Sequence, residues 1–174
     1  KLDTSIGGRF SIWSSSNLVN AIIFGKEFFT NFLSGGKSID DLVVNNLEKS
    51  LPYILALKSF YFRKYHSIYN HIVIPYSDQL SLLPSYLQQL VMESNGKSVN
   101  SFNENISNSP CSFIFGEVGT DAQHSFFQAL HQSTLSFTGD LICFSNNLNS
   151  EFCIFEDYDK NNSRDLQNFA ISQY

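Results

Sequence analysis

What this chain lacks narrows it first. No apolar run approaches the roughly 20 residues that a membrane-spanning helix needs, and Lys1-Leu2-Asp3 does not open a signal peptide. The sequence therefore reads as soluble and cytoplasmic, with no membrane partner. Positive charge is scarce: 11 Lys and Arg stand against 16 Asp and Glu, for a formal charge of −5 and a pI near 5.2. Beyond Arg63-Lys64 there is no basic run, which speaks against a nucleic-acid or anionic-membrane surface. Cysteine is scarce too. Cys111, Cys143 and Cys153 are odd in number, lack metal-ligand spacing and sit mostly in apolar runs, so they are expected to be buried free thiols of a reducing compartment and not disulfides or nucleophiles.

What is present suffices for a core. At 174 residues, 43% hydrophobic and 15% aromatic, the chain fits one compact domain over residues 1–174. The abundance of Asn and Ser, with Phe and Tyr as bulky fillers, carries no mechanistic weight.

Taken in order, Ile6-Gly7-Gly8-Arg9-Phe10-Ser11 places a fixed cation after paired glycines that allow close backbone approach. An ordinary tight turn is the plainer alternative. Ser14 to Ser16 offer N-caps to a helix running to about Leu33, with Gly35-Gly36 as its stop. Ser38-Ile39-Asp40-Asp41 resembles a capping box for a short helix through Leu47, and Leu51-Pro52 opens another that runs through Tyr65. The β-branched run His71-Ile72-Val73-Ile74-Pro75-Tyr76 reads as a buried parallel strand.

From Asp78 to Glu93, Leu80, Leu83, Leu87, Leu90 and Val91 recur at helical spacing, with Gly96 as the expected left-handed cap. Glu93 then falls in the last turn, at the negative end of the helix dipole. That placement costs about 0.3–1 kcal/mol and raises the carboxylate's proton affinity toward that of a base useful near neutrality. Gln89 lies one turn earlier on the same face, so a carboxylate and an amide can hold a polar substrate. The bland alternative is a solvated helix end partly balanced by Lys97.

The polar stretch from Lys97 to Pro110 reads as a loop, and Cys111 to Phe115 as a second strand. Thr120 is the expected N-cap of the next helix, with Gln123 at capping-box spacing, which puts His124 in the first turn, where the positive dipole end favours a neutral imidazole. A polar residue on a half-buried helix face is the alternative. His131 lies two turns further along. Two imidazoles about 10 Å apart along a helix axis cannot share an ion alone, so no metal is assigned. Asp140 to Phe144 is a third strand, and Ser163 through Tyr174 a terminal helix. Strands alternating with helices imply right-handed crossovers, a mainly parallel sheet and a three-layer α/β/α sandwich with sites at the carboxyl ends of the strands.

Three segments together resemble the phosphoglucose isomerase (glucose-6-phosphate isomerase) family: Gly7-Gly8-Arg9-Phe10-Ser11-Ile12-Trp13-Ser14, Tyr86-Leu87-Gln88-Gln89-Leu90-Val91-Met92-Glu93-Ser94-Asn95-Gly96-Lys97, and Gly116-Glu117-Val118-Gly119-Thr120-Asp121-Ala122-Gln123-His124-Ser125-Phe126. The likeness spans Ile6 to Gln132. It implies a sugar-isomerase (SIS) type of domain, one piece of a longer two-domain enzyme that interconverts D-glucose 6-phosphate and D-fructose 6-phosphate with no metal or organic cofactor. Glu93 matches the base that moves a proton between C1 and C2 through a cis-enediol, and Arg9 the cation that stabilises that intermediate. Gln89 and Gly8 match substrate-contacting positions, and His124 the ring-opening histidine that reaches the site from the other subunit of a homodimer.

The chain departs from the family pattern at Thr4-Ser5-Ile6, at Val118 for a usual proline, at Asp121-Ala122 for a usual Asn-Gly and at Ser133 for a glycine. It also has neither the Ser-Lys-Thr type of phosphate loop nor the lysine-bearing C-terminal segment, so alone it is expected to be nearly inert. Two other readings are a non-catalytic SIS-type domain that binds a sugar phosphate for regulation, and a segment whose main role is the dimer interface. The binding-domain reading has no need of Glu93, Arg9 and His124 together.

Overall fold

The computed structural model describes residues 5–143; the expected terminal helix and Cys153 lie outside them. The described chain forms α1 (Leu18–Asn45), α2 (Leu51–His66), β1 (Asn70–Pro75), α3 (Leu83–Leu87), β2 (Phe113–Phe115), α4 (Gly119–Ser125), α5 (Phe127–Gln132) and β3 (Phe137–Ile142). It divides into two compact units, with the boundary between Tyr61 and Phe62 inside α2.

The second unit is built on the β-branched run of β1. Ile72, Val73 and Ile74 are 1%, 1% and 4% exposed, and burial of each such side chain stabilises by about 1.5–3 kcal/mol. The sheet order is β2-β1-β3, and both pairings are parallel, with His71 opposite Ile114 on one side and Thr138 on the other. Because side chains alternate along a strand, Ile72 and Ile74 share one face, where they pack with Tyr76, Ala122 and Phe127. Phe126 and Leu130 seal that cluster, so α4 and α5 cover this face. Val73 and Ile114 belong to the opposite face and are buried as well, and α3 packs against β1 and β2. Helices thus flank a parallel sheet in the α/β order that the alternating sequence predicts. Across strands on the Val73 face, the His71 imidazole bridges Thr138 Oγ1 at 2.8 Å and Asp140 Oδ2 at 3.0 Å and braces β1 to β3.

In the first unit the glycines act in unexpected places. Gly35-Gly36 does not end the helix; α1 runs through both to Asn45, although each interior glycine costs about 0.5–1 kcal/mol relative to alanine. The Ser38 hydroxyl donates back to the carbonyls of Ser34 and Gly35, and Lys37 pairs with Asp41 at 3.0 Å, so the residues expected to cap a new helix instead continue the old one. The break falls at Gly25, whose φ of 88° and ψ of 163° are open essentially only to glycine. The next helix begins as expected: Ser50, fully buried, precedes Leu51-Pro52, and α2 runs to His66.

Cys111 is buried as expected, and that burial pushes its thiol up, partly offset by the Arg63 guanidinium. Cys143, expected to be buried, is instead exposed, one residue past the end of β3.

Candidate active site

Glu93 ends an unusual helical segment. In place of one helix from Asp78 to Glu93, the chain forms a 3₁₀ turn over Asp78–Leu80, then α3, then a π-helix over Gln88–Glu93. Such wide turns are rare and are frequent at functional sites. Helical hydrogen bonding continues past Glu93, with the Gly96 N–H donating to the Met92 carbonyl at 2.8 Å, and Gly96 does not take a positive φ, so the expected left-handed cap does not form. Among the described residues Gly25 is the one glycine with positive φ.

The π segment is tied to the sheet through neighbours of the predicted residues. Gln88 Nε2 donates to the Ile114 carbonyl at 3.1 Å, and the Ile114 N–H approaches Met92 Sδ at 3.4 Å. Both contacts go to one residue of β2, an outer strand of the order β2-β1-β3 among the described residues, and so occupy backbone groups that its neighbour strand does not use. Gln89 and Glu93, the residues sequence reasoning selected, are exposed. Lys97 contributes differently than expected: its ammonium reaches the backbone carbonyl of Glu93 at 2.9 Å and so caps the helix end.

His124 stands on the face of the molecule that α4 presents after the turn following β2. The expected capping box is absent. The helix starts at Gly119 with Val118 as its N-cap, no side chain caps it, and it ends at Ser125, so His124 lies in the last turn and not in the first. The reason is the break at Phe126, with φ of −128° and ψ of 0°, which separates α4 from α5 and sends Phe126 and Phe127 into the core. The Ser125 hydroxyl donates to Glu117 Oε2 at 3.0 Å and closes the turn on itself, a tie no spacing rule would find.

The departures in this loop fit the local backbone. Val118 has φ −55°, within the range a proline ring would impose, and Ala122 is fully buried against the sheet, so its methyl has a place. Gly116 has no such latitude. A Cβ there would lie 1.8 Å from the Val73 carbonyl oxygen, where backbone meets backbone. Gly116→Ala is expected to destabilise by about 1–3 kcal/mol or more, read as a fall in melting temperature of about 2–4 °C per kcal/mol; an unchanged melting curve would contradict this packing.

Arg9 and Gly8 belong to the first unit. They open a 3₁₀ helix over Gly8–Trp13 that is pinned by the Phe10 N–H to Gly7 carbonyl bond at 3.0 Å and closed by Ser14, whose hydroxyl donates to the Ser11 carbonyl at 2.8 Å. Arg9 is half-buried and Gly8 exposed. A groove of about 810 Å³ in this unit is lined by Phe10, Trp13, Leu33, Gly35, Gly36, Lys37, Ile39 and Asp40, and by none of the residues selected for chemistry. The structure thus places Glu93 with Gln89 on one segment, His124 on a second element of the same unit, and Arg9 with Gly8 in the other unit. Among the described residues no helix is long and apolar enough to cross a membrane.

A family model described as phosphoglucose isomerase matches residues 1–162. A glucose-6-phosphate isomerase of Christiangramia forsetii is 40% identical over 169 residues, which cover 97% of this chain and 30% of that protein. One from Psychrobacter arcticus is 42% identical over 138 residues, covering 79% and 25%. The crystal structure of a glucose-6-phosphate isomerase from Chlamydia trachomatis superposes with a TM-score of 0.83 at 35% identity, over 99% of this chain and 33% of that one. The hypothetical protein TT0462 of Thermus thermophilus shares the fold, with a TM-score of 0.69 at 22% identity. The chain spans 25–30% of the length of these two curated relatives.

Proposed function

The chain belongs to the phosphoglucose isomerase family, and from that premise we propose that it supplies the proton-transfer half of an aldose–ketose isomerase site acting on D-glucose 6-phosphate and D-fructose 6-phosphate. The observation that carries the reading is the π segment: Glu93 and Gln89 stand about one turn apart on a backbone clamped to β2 through Gln88 and Met92. A base that carries a proton between adjacent carbons must be held within a fraction of an ångström while remaining open to substrate. A side chain exposed at the end of a clamped helix meets both needs.

In this reading the Glu93 carboxylate removes a proton from C1 or C2 of the opened sugar and returns it to the other carbon, through a cis-enediol. The Arg9 guanidinium stabilises the negative charge that develops on the enediol oxygens. Gln89 and the Gly8 backbone hold substrate hydroxyls. His124, exposed on α4, exchanges the proton that opens the ring and is donated across the interface of a homodimer. The phosphate grip comes from the remainder of an SIS-type, two-domain cytoplasmic protein, so the segment by itself is nearly inert.

The test uses the full-length protein incubated with D-fructose 6-phosphate in deuterated water and followed by NMR. Glucose 6-phosphate that carries some deuterium at C2 is the expected product, since a proton held on a carboxylate exchanges in part with solvent. Binding of the sugar phosphate without turnover would replace this reading with that of a regulatory sugar-phosphate-binding domain.

A further inference from the structure

The Trp13 indole stacks on Phe32 of α1, with ring centroids 4.6 Å apart and an interplanar angle of 14°. Its outer edge lies over Gly36: a Cβ at that position would stand 2.6 Å from Trp13 Cζ3 and 3.0 Å from Cη2. Trp13 is the last residue of the 3₁₀ helix Gly8–Trp13, and Arg9 is its second. With three residues per turn, Phe10 and Trp13 eclipse one another on the side turned to α1, and both line the groove beside Gly36. Arg9, one position away, is rotated about 120° from that side. Two polar ties hold the far end, Asn17 Nδ2 to the Ile12 carbonyl at 2.8 Å and the Ser14 hydroxyl to the Ser11 carbonyl. The helix keeps a costly interior glycine at the place where the indole needs room.

We infer that Gly36 and Trp13 are positioning residues for Arg9: the indole seated on Gly36 and Phe32 fixes the rotation of the short helix, and that rotation aims the guanidinium. The inference rests on Arg9's role in the proposed reaction. It adds residues 23 positions apart in sequence that touch no substrate. A methyl on Gly36 must displace the ring, and the ring carries the helix with it.

Full-length Gly36→Ala is expected to lower kcat about ten- to a hundredfold with little change in KM, because an interaction that matters only in the transition state is the one lost. Trp13→Ala, which empties the seat instead of crowding it, should do the same and guards against misfolding of the first variant. Trp13→Phe in the Gly36→Ala background should restore part of the rate by making room for the methyl. The decisive measurement is non-additivity: in an Arg9→Gln background neither Gly36→Ala nor Trp13→Ala should lower kcat further. Full multiplication of the two effects, or a normal rate for Gly36→Ala where Arg9→Gln is slow, overturns the inference. An Arg9→Gln variant that is itself fully active would instead overturn the role of Arg9 in the proposed reaction.

Discussion

Glu93→Gln in the full-length protein is expected to lower kcat by about 10²–10⁴-fold, the range that a positioned general base contributes. The substitution is close to isosteric and replaces a charged group that can take a proton with a neutral amide that cannot. Glu93 is exposed, its backbone carbonyl keeps the Lys97 ammonium whatever its side chain, and the ties of its segment to β2 run through Gln88 and Met92. A melting curve recorded beside the rate separates lost chemistry from lost structure. KM should change by less than kcat, since a neutral amide still occupies the carboxylate's place beside Gln89. Solvent deuterium should no longer appear in unreacted fructose 6-phosphate, because exchange at C1 needs the same base. A variant that isomerises at a near-normal rate would remove Glu93 from the mechanism and return the π segment to a purely structural role.

The parts legible in the sequence were those written in local pattern. Ile72-Val73-Ile74 could hardly be anything but a buried strand, and from its alternation with helices the parallel sheet followed. Glu93, Gln89, Arg9 and His124 were selected from motifs, and each does lie on a surface of the chain or half-buried near one. The backbone around them was less legible, for physical reasons. A π turn differs from an α turn by less than one residue per turn, so over Gln88–Glu93 the apolar spacing of Leu87, Leu90 and Val91 fits either. The break after Ser125 lies in an unbroken apolar pattern, because Phe126 and Phe127 both reach the core from opposite sides of the break. Gly35-Gly36 reads as a helix stop to any local rule, and the ring that occupies the space over Gly36 comes from Trp13 in a different element. Long-range packing decided all of these, and local spacing carries no record of it.

The second large effect is at Arg9. Arg9→Gln is expected to cost about 10²–10³ in kcat, the loss seen when one charge-stabilising donor is removed from a developing oxyanion. Arg9→Lys should recover only part of it, since an ammonium restores the charge but not the planar fork that can meet two adjacent enediol oxygens at once. Neither variant should unfold the 3₁₀ helix: its ties at Gly7, Ser11 and Ile12 are to backbone carbonyls, and the Trp13–Phe32 stack is untouched. The split between kcat and KM is informative here. If Arg9 bound the ground-state sugar as strongly as the enediol, KM would rise and kcat would hold; if it acts on charge that exists only after Glu93 has taken the proton, kcat falls and KM stays. Glu93 and Arg9 are then two halves of one step, so the double variant should be scarcely slower than Glu93→Gln alone. Where no base forms the anion, there is no charge for the guanidinium to stabilise.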